Sequence, residues 1–376
     1  MRRTHTMIFC TLVLAIVLGL GQAFAATVKV GLMCPLTGKW ASEGQDMQKI
    51  VTLLAEDINK SGMLKGNTID LVVEDDAGDP RTAALAAQKL LSSGAVAIVG
   101  TYGSAVTEAA QNIIDEGEAV QIATGSTSVR LTEKGLSRFF RTCPRDDAQG
   151  TFAGEVIHKK GFKNVALLHD NSSYARGLAE ETRQILERND VKVVFYDALT
   201  PGERDYTAIL TKLKSANPDL VFFTGYYPET GMLLRQKAEM GWNVPMMGGD
   251  AANHQDLVKI AGNAAAKGYF FLSPPLPQDL DNPESKAFLE AFKTRYGSLP
   301  VSVWAVLAGD AFKAIAAAVE ADQTSSADIA KWLHGEFRDY PGLSGQLGFN
   351  AKGDRLGNFY RVYEVDDKGA FVLQAR

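Results

Sequence analysis

The residues of this chain best placed for chemistry are small, hydroxylated or acidic, and they follow apolar, β-branched runs. After Val96–Val99 comes Gly100-Thr101-Tyr102-Gly103-Ser104, and after Ala119–Ala123 comes Thr124-Gly125-Ser126-Thr127-Ser128. Further on, Leu220–Thr224 leads into Gly225-Tyr226-Tyr227-Pro228, and Pro245–Gly248 leads to Asp250. In an open α/β sheet such junctions lie at the C-terminal ends of strands, where the next helix points free N–H groups outward. Hydroxyls and amides there suit an anionic group such as a carboxylate, and an acidic side chain facing them suits a cation. Both together suit a zwitterion. Taken singly, each residue has an ordinary reading: Ser104 as a helix N-cap, 124–128 as a turn, Tyr226 and Tyr227 as packing rings, Asp250 as a cap. Their shared position at strand ends is what argues for a ligand.

Bond-making chemistry has little support. The histidines (His5, His158, His169, His254 and His334) are scattered, and neither an H-E-x-x-H nor a C-x-x-C spacing occurs. The chain has no G-x-S-x-G elbow and no phosphate-binding Walker loop. No catalytic residue, metal ligand or cofactor is therefore assigned. His169-Asp170 reads as a structural pair at a strand end. Asp75, Asp76 and Asp79 lack the alternation and terminal Glu of a calcium loop, and Asp79-Pro80 reads as an N-cap followed by a first-turn proline. A formal net charge of -5 leaves no basic footprint for nucleic acid.

The elements that must position these residues alternate along the chain. Strands are expected at Val28–Met33, Ile69–Val73, Val96–Val99 and Ala119–Ala123, with helices between them. After Thr142 the rhythm restarts, with strands at Val165–His169, Val191–Tyr196, Leu220–Thr224, Pro245–Gly248 and Tyr269–Leu272. Near-continuous apolar strands separated by helices mean parallel sheets covered on both faces, and two such series mean two doubly wound lobes. A helical block (Pro283–Tyr296, Val303–Glu320, Ser326–His334) and a short mixed tail from Phe349 to Val372 follow. The length of 376 residues agrees with two domains.

At the N-terminus, Arg2 and Arg3 precede an apolar core at Met7–Leu20 and an Ala23-Phe24-Ala25 ending. This is the pattern of a cleaved secretory leader over residues 1–25. An exported protein meets oxidising conditions, and two cysteines, Cys34 and Cys143, lie beyond the leader. They are open to two readings: a disulfide, or two buried free thiols.

At this point the sequence resembles the leucine/isoleucine/valine-binding proteins, the periplasmic solute receptors of branched-chain amino-acid ABC transporters. The stretches VKVGLMCPLTGKWASEGQDM, VVEDDAGDP, IATGSTSVRLT, FFRTCPRDDAQG, LLHDNSSYARGLA and FFTGYYPETGMLLRQ carry the likeness over nearly the whole chain beyond the leader. The resemblance implies a type I periplasmic-binding-protein fold: two αβα lobes joined by three crossovers and a hinge, closing over one amino acid. Lobe 1 would comprise residues 26–143 plus 274–353, and lobe 2 residues 144–273 plus 354–376.

Position by position, the resemblance implies that Ser104 binds the ligand carboxylate and that Gly125 offers a main-chain carbonyl. Thr127 would touch both α-groups. Tyr174 and Tyr226 would reach over from lobe 2, and Asp250 would face the ammonium where the family has glutamate. Tyr102 and Glu43 complete the ligand-contacting set. The family's lobe 1 disulfide falls on Gly78 and Gly103, so it is absent. The ring that borders the family's side-chain pocket falls on Glu43, with Trp40 three residues earlier. A carboxylate beside an apolar pocket is costly unless solvated or paired. Glu43 is accordingly expected to face solvent, the alternative being that it marks a ligand with a polar side chain. The implied function is capture of an α-amino acid, most simply an aliphatic one, in the periplasm by a monomer, and its delivery to an inner-membrane ABC permease. A ligand-sensing receptor of the same fold, binding another small carboxylate, is the alternative.

Overall fold

The computed structural model describes residues 25–357 and 360–374, so the leader assigned to 1–25 lies, Ala25 apart, outside the described residues. The first sheet holds β1 (Thr27–Cys34), β2 (Thr68–Asp75), β3 (Ala97–Val99), β4 (Val120–Ala123) and β5 (Phe139–Arg141). All pairings are parallel, in the order β2-β1-β3-β4-β5. Its inner strands read as unbroken apolar runs because both faces are covered by helices. Val30, Leu32, Ile98, Val99 and Ile122 are fully buried.

The second sheet contains β6 (Asn164–His169), β7 (Lys192–Ala198), β8 (Leu220–Phe223), β9 (Met246–Gly248) and β10 (Phe270–Ser273). After the two-stranded hairpin of β11 (Tyr340–Gly342) and β12 (Gly345–Leu347), the chain returns to this sheet as β13 (Arg361–Val365) and β14 (Phe371–Leu373). The order is β14-β13-β10-β9-β8-β6-β7, and the last two strands of the chain run antiparallel at one edge. The chain therefore passes between the sheets after β5, after β10 and before β13.

Each sheet has a switch point, between β1 and β3 in the first and between β6 and β8 in the second. Crevices at such points are where open α/β sheets bind ligands. Local signals agree with the elements. The Asp79 carboxylate accepts from the N–H groups of Arg81 and Thr82, with Pro80 in the first turn. Helix Val303–Glu320 has 16 of its 18 residues buried, and Gly309 lets it lie closely against helix Ala41–Ser61, where a Cβ would come within 2.8 Å of Ile50.

Apolar residues at helical spacing point to helices over Phe152–Lys160, Leu178–Arg188 and Thr230–Met240, and all three helices begin earlier. Helix Asp146–Lys159 starts six residues before Phe152, helix Ser173–Arg188 five before Leu178, and helix Tyr227–Glu239 three before Thr230. In each, the opening turn carries polar or aromatic groups turned toward the crevice instead of the core. Cys34 and Cys143 form no bridge; both are free and fully buried. The disulfide reading is thereby corrected. Each thiol is buried as a small hydrophobe, and the Cys34 thiol donates to the Gly44 carbonyl at 3.5 Å.

Candidate ligand-binding site

The loops that follow β3 and β4 form one wall of the crevice. Ser104 is the first residue of helix Ser104–Glu116, with Gly103 at the cap position. Its hydroxyl does not cap its own helix; it accepts from the Ser128 N–H at 3.2 Å, across to the next loop. That loop is pinned from below by Arg141. The buried guanidinium donates to the carbonyls of Ser126 at 3.0 Å and Ser128 at 2.8 Å, one on each side of Thr127. Arg141 is in turn held by Asp354 at 2.6 Å. Burial works against the Asp354 carboxylate, yet the charge and hydrogen bond of Arg141 keep its pKa below the usual range. A side chain at Gly125 would put its Cβ 2.5 Å from the Tyr102 ring, so only glycine lets the 124–127 backbone lie against Tyr102.

The opposite wall is built around Asp250, which opens a short 3-10 turn after β9. One carboxylate oxygen accepts from Tyr174 Oη at 3.0 Å and the other from Tyr360 Oη at 2.8 Å. Gln149 accepts from the Asp250 backbone N–H at 2.9 Å and donates to Tyr360 Oη at 3.0 Å. Burial raises the Asp250 pKa to about 6, although both tyrosine hydroxyls pull it down.

Between the walls lies Asp146, fully buried, with neither carboxylate oxygen in a hydrogen bond among the described residues. Thr127 Oγ1 is likewise buried without a bond of good geometry, although it lies close enough to Asp146 to ease its ionisation. Burial pushes the Asp146 carboxyl well above the usual range, and the charge of Asp250 pushes it further. Buried polar groups without partners are rare in folded proteins and cost roughly 1–3 kcal/mol each. An unpaired carboxyl and hydroxyl facing a second carboxylate form an acceptor set for an ammonium group.

Aromatic rings close the outer end. Trp40 packs on Tyr226 at 4.4 Å and on Tyr102 at 5.3 Å between ring centroids, and Tyr226 meets Tyr174 at 5.3 Å. Gly78 and Gly103 form the berth for Trp40: a Cβ at either position would come within 2.6 or 2.8 Å of the indole. Contacts cross from one sheet's loops to the other's here, with Tyr227 Oη donating to the Lys39 carbonyl at 3.1 Å. Glu43 corrects the expectation of solvent exposure. It is fully buried, and Ser302 Oγ lies 2.6 Å from each of its carboxyl oxygens. Burial raises its pKa to about 8.

The structure thus gathers Ser104, Gly125, Thr127, Tyr102, Tyr174, Tyr226 and Asp250 at one crevice, with Glu43 behind the aromatic end. Asp146, Gln149, Arg141, Tyr360 and Trp304 belong to the same assembly and were not picked out from the sequence. Asp146 stands in the quoted run FFRTCPRDDAQG beside a second Asp, where nothing local distinguishes it. No group of three or more potential metal ligands occurs among the described residues.

Two doubly wound sheets, with hydroxyl, amide and carboxylate groups gathered where their loops meet, define a protein of the two-lobed α/β class. The periplasmic binding protein family model matches residues 27–370, and the chain belongs to that family. An amino acid binding protein of Pseudomonas aeruginosa is 36% identical over 361 residues, covering 94% of each chain. A leucine-, isoleucine-, valine-, threonine- and alanine-binding protein of the same organism is 35% identical, covering 90% of each. Among solved structures, a leucine binding protein of Thermotoga maritima superimposes with a TM-score of 0.86 at 27% identity, covering 93% of this chain and 98% of that one. A branched-chain amino acid transporter substrate binding protein of Streptococcus pneumoniae, in complex with isoleucine, gives 0.84 at 29% identity, covering 93% and 100%. The type I fold expected from the resemblance is the fold observed.

Proposed function

We propose that the protein captures an α-amino acid in the periplasm and hands it to an inner-membrane ABC importer without altering it. The observation that carries this reading is the buried Asp146 carboxyl, without a hydrogen bond of good geometry, near Thr127 and Asp250: an acceptor set for an ammonium group, below a loop that the Ser104 hydroxyl joins at Ser128. The α-carboxylate would lie on Ser104 and the 125–127 backbone, and the ammonium between Gly125 O, Thr127, Asp146 and Asp250. The amino-acid- and branched-chain-binding names of the relatives favour transport over a sensing role.

Residues 26–143 with 274–353, and 144–273 with 354–376, would move as two bodies about the crossings after β5, after β10 and before β13. Closure strengthens the charged contacts because it removes water, and it is favoured only by the ligand's greater affinity for the closed form. The protein would act as a monomer, with no nucleic-acid partner and no cofactor. Thermal-shift and calorimetric titration against the twenty amino acids tests the reading, with turnover followed in the same samples. Failure of every amino acid to bind, or chemical change in one that does, overturns it.

A further inference from the structure

The amino-acid reading leaves open what the side chain of the ligand meets, and three observations at the aromatic end of the crevice bear on that. First, Trp304 and Trp40 are buried, at 1% and 4% exposure, yet neither indole N–H has a hydrogen-bond acceptor among the described residues. Both rings pack against Tyr102, at 6.1 and 5.3 Å between centroids, and Trp40 also covers Tyr226. The six-membered edge of Trp40 is seated on Gly78 and Gly103, which leaves its N–H edge turned away from that floor.

Second, Glu43 is buried directly behind these rings. Its carboxyl is bound to Ser302, whose hydroxyl also accepts from the Trp304 backbone N–H at 3.2 Å. The same carboxyl lies close enough to Tyr102 and Tyr227 for its charge to disfavour their ionisation. Third, no cation among the described residues offsets Glu43. Asp46 on the same helix adds repulsion, and burial holds the carboxyl neutral up to about pH 8. A neutral carboxylic acid both donates and accepts hydrogen bonds.

An aliphatic side chain lodged here would leave two buried N–H donors without partners, whereas one bearing an oxygen would supply the missing acceptor. We propose that the indole N–H groups of Trp304 and Trp40, backed by Glu43 through Ser302, form a polar side-chain subsite that selects α-amino acids ending in a hydroxyl or an amide over aliphatic ones of the same shape. This inference rests on the amino-acid reading above and goes beyond it, since that reading is satisfied by the α-groups alone. Sites built to hydrogen-bond a ligand group discriminate strongly against the isostere that lacks it, because the protein's own groups are then left unpaired.

Isosteric pairs supply the test. Calorimetry on the mature chain would compare L-threonine with L-valine, and L-asparagine with L-leucine. The polar member of each pair is expected to bind at least about tenfold more tightly. Trp304→Phe keeps a ring and removes the N–H, and it should shrink that preference; Glu43→Leu should shrink it further. Valine and leucine binding as tightly as threonine and asparagine, or more tightly, in the unmodified protein would overturn the inference while leaving the amino-acid reading intact. Binding of none of the four, nor of any other amino acid, would remove both. If Trp304→Phe does not fold, the comparison in the unmodified protein decides alone.

Discussion

Tyr360 reaches Asp250 at 2.8 Å across 110 residues of sequence. The contact joins the last crossing between the sheets to the residue proposed to meet the ligand's ammonium group. Tyr174 donates to the other oxygen at 3.0 Å, so the protein's own hydroxyls hold the carboxylate in one orientation. A preorientated charge loses little freedom on binding, which is the physical basis of high affinity in a closing cleft.

Asp250→Asn keeps the size of the side chain and removes its charge. Charge-assisted hydrogen bonds contribute roughly 1.5–3 kcal/mol, so affinity for the ligand should fall by about 10- to 150-fold. Tyr360→Phe should weaken binding less, because Tyr174 still orients the carboxylate. Isothermal titration of both variants tests the order. Equal affinity for Asp250→Asn and the unmodified protein would remove Asp250 from the site.

Binding should depend on pH through the same carboxylates. The ammonium prefers ionised partners, and burial places Asp250 at about 6 and raises Asp146 above its ordinary range as well. Protons therefore compete with ligand, and affinity should fall as pH drops through about 6. Binding near pH 6 should also release protons, visible as a calorimetric enthalpy that varies with the ionisation enthalpy of the buffer. A buffer-independent enthalpy would contradict the arrangement.

Stability of the empty protein should run the other way from that of most carboxylate-paired proteins. The Glu43 pKa is raised to about 8, so the folded state holds a proton that the unfolded chain has lost above about pH 4.5. Stability from this group is full below the unfolded value and declines as pH rises toward 8. Glu43→Gln, which cannot ionise, should flatten that decline. Chemical denaturation at pH 5 and pH 8 would reveal an unchanged slope if the assignment is wrong.

Arg141→Met should be among the most damaging single changes. Removing the guanidinium leaves Asp354 buried, with Arg145 at 3.1 Å as its remaining cation, and frees the carbonyls flanking Thr127. Breaking a buried pair in this way costs on the order of 3–5 kcal/mol. Urea midpoints measure the loss. Ligand affinity of the folded fraction should fall as well, since the 126–128 loop loses its anchor.

Local pattern determined much of this molecule. Apolar strand runs, the Asp79-Pro80 helix start and the buried helix Val303–Glu320 are legible because each depends on residues a few positions apart. The rim residues Ser104, Gly125, Thr127 and Asp250 are legible for the same reason: they follow strands, and strand ends of open sheets face a crevice. Three-residue β5 carries too few side chains to show a period, and the helices that open at Asp146, Ser173 and Tyr227 hide their first turns by giving them to the crevice.

What only the tertiary structure decided concerns pairs brought together from afar. Glu43 is buried because Ser302, 259 residues away, supplies its hydrogen bond. Arg141 is silent in sequence because its partner Asp354 is 213 residues distant. Asp146 gains its meaning from Thr127 and Asp250, on two different sheets' loops. Periodicity records which face of an element meets the core. The cost of burying a charge depends on which distant group meets it there, and that is fixed only when the two sheets come together.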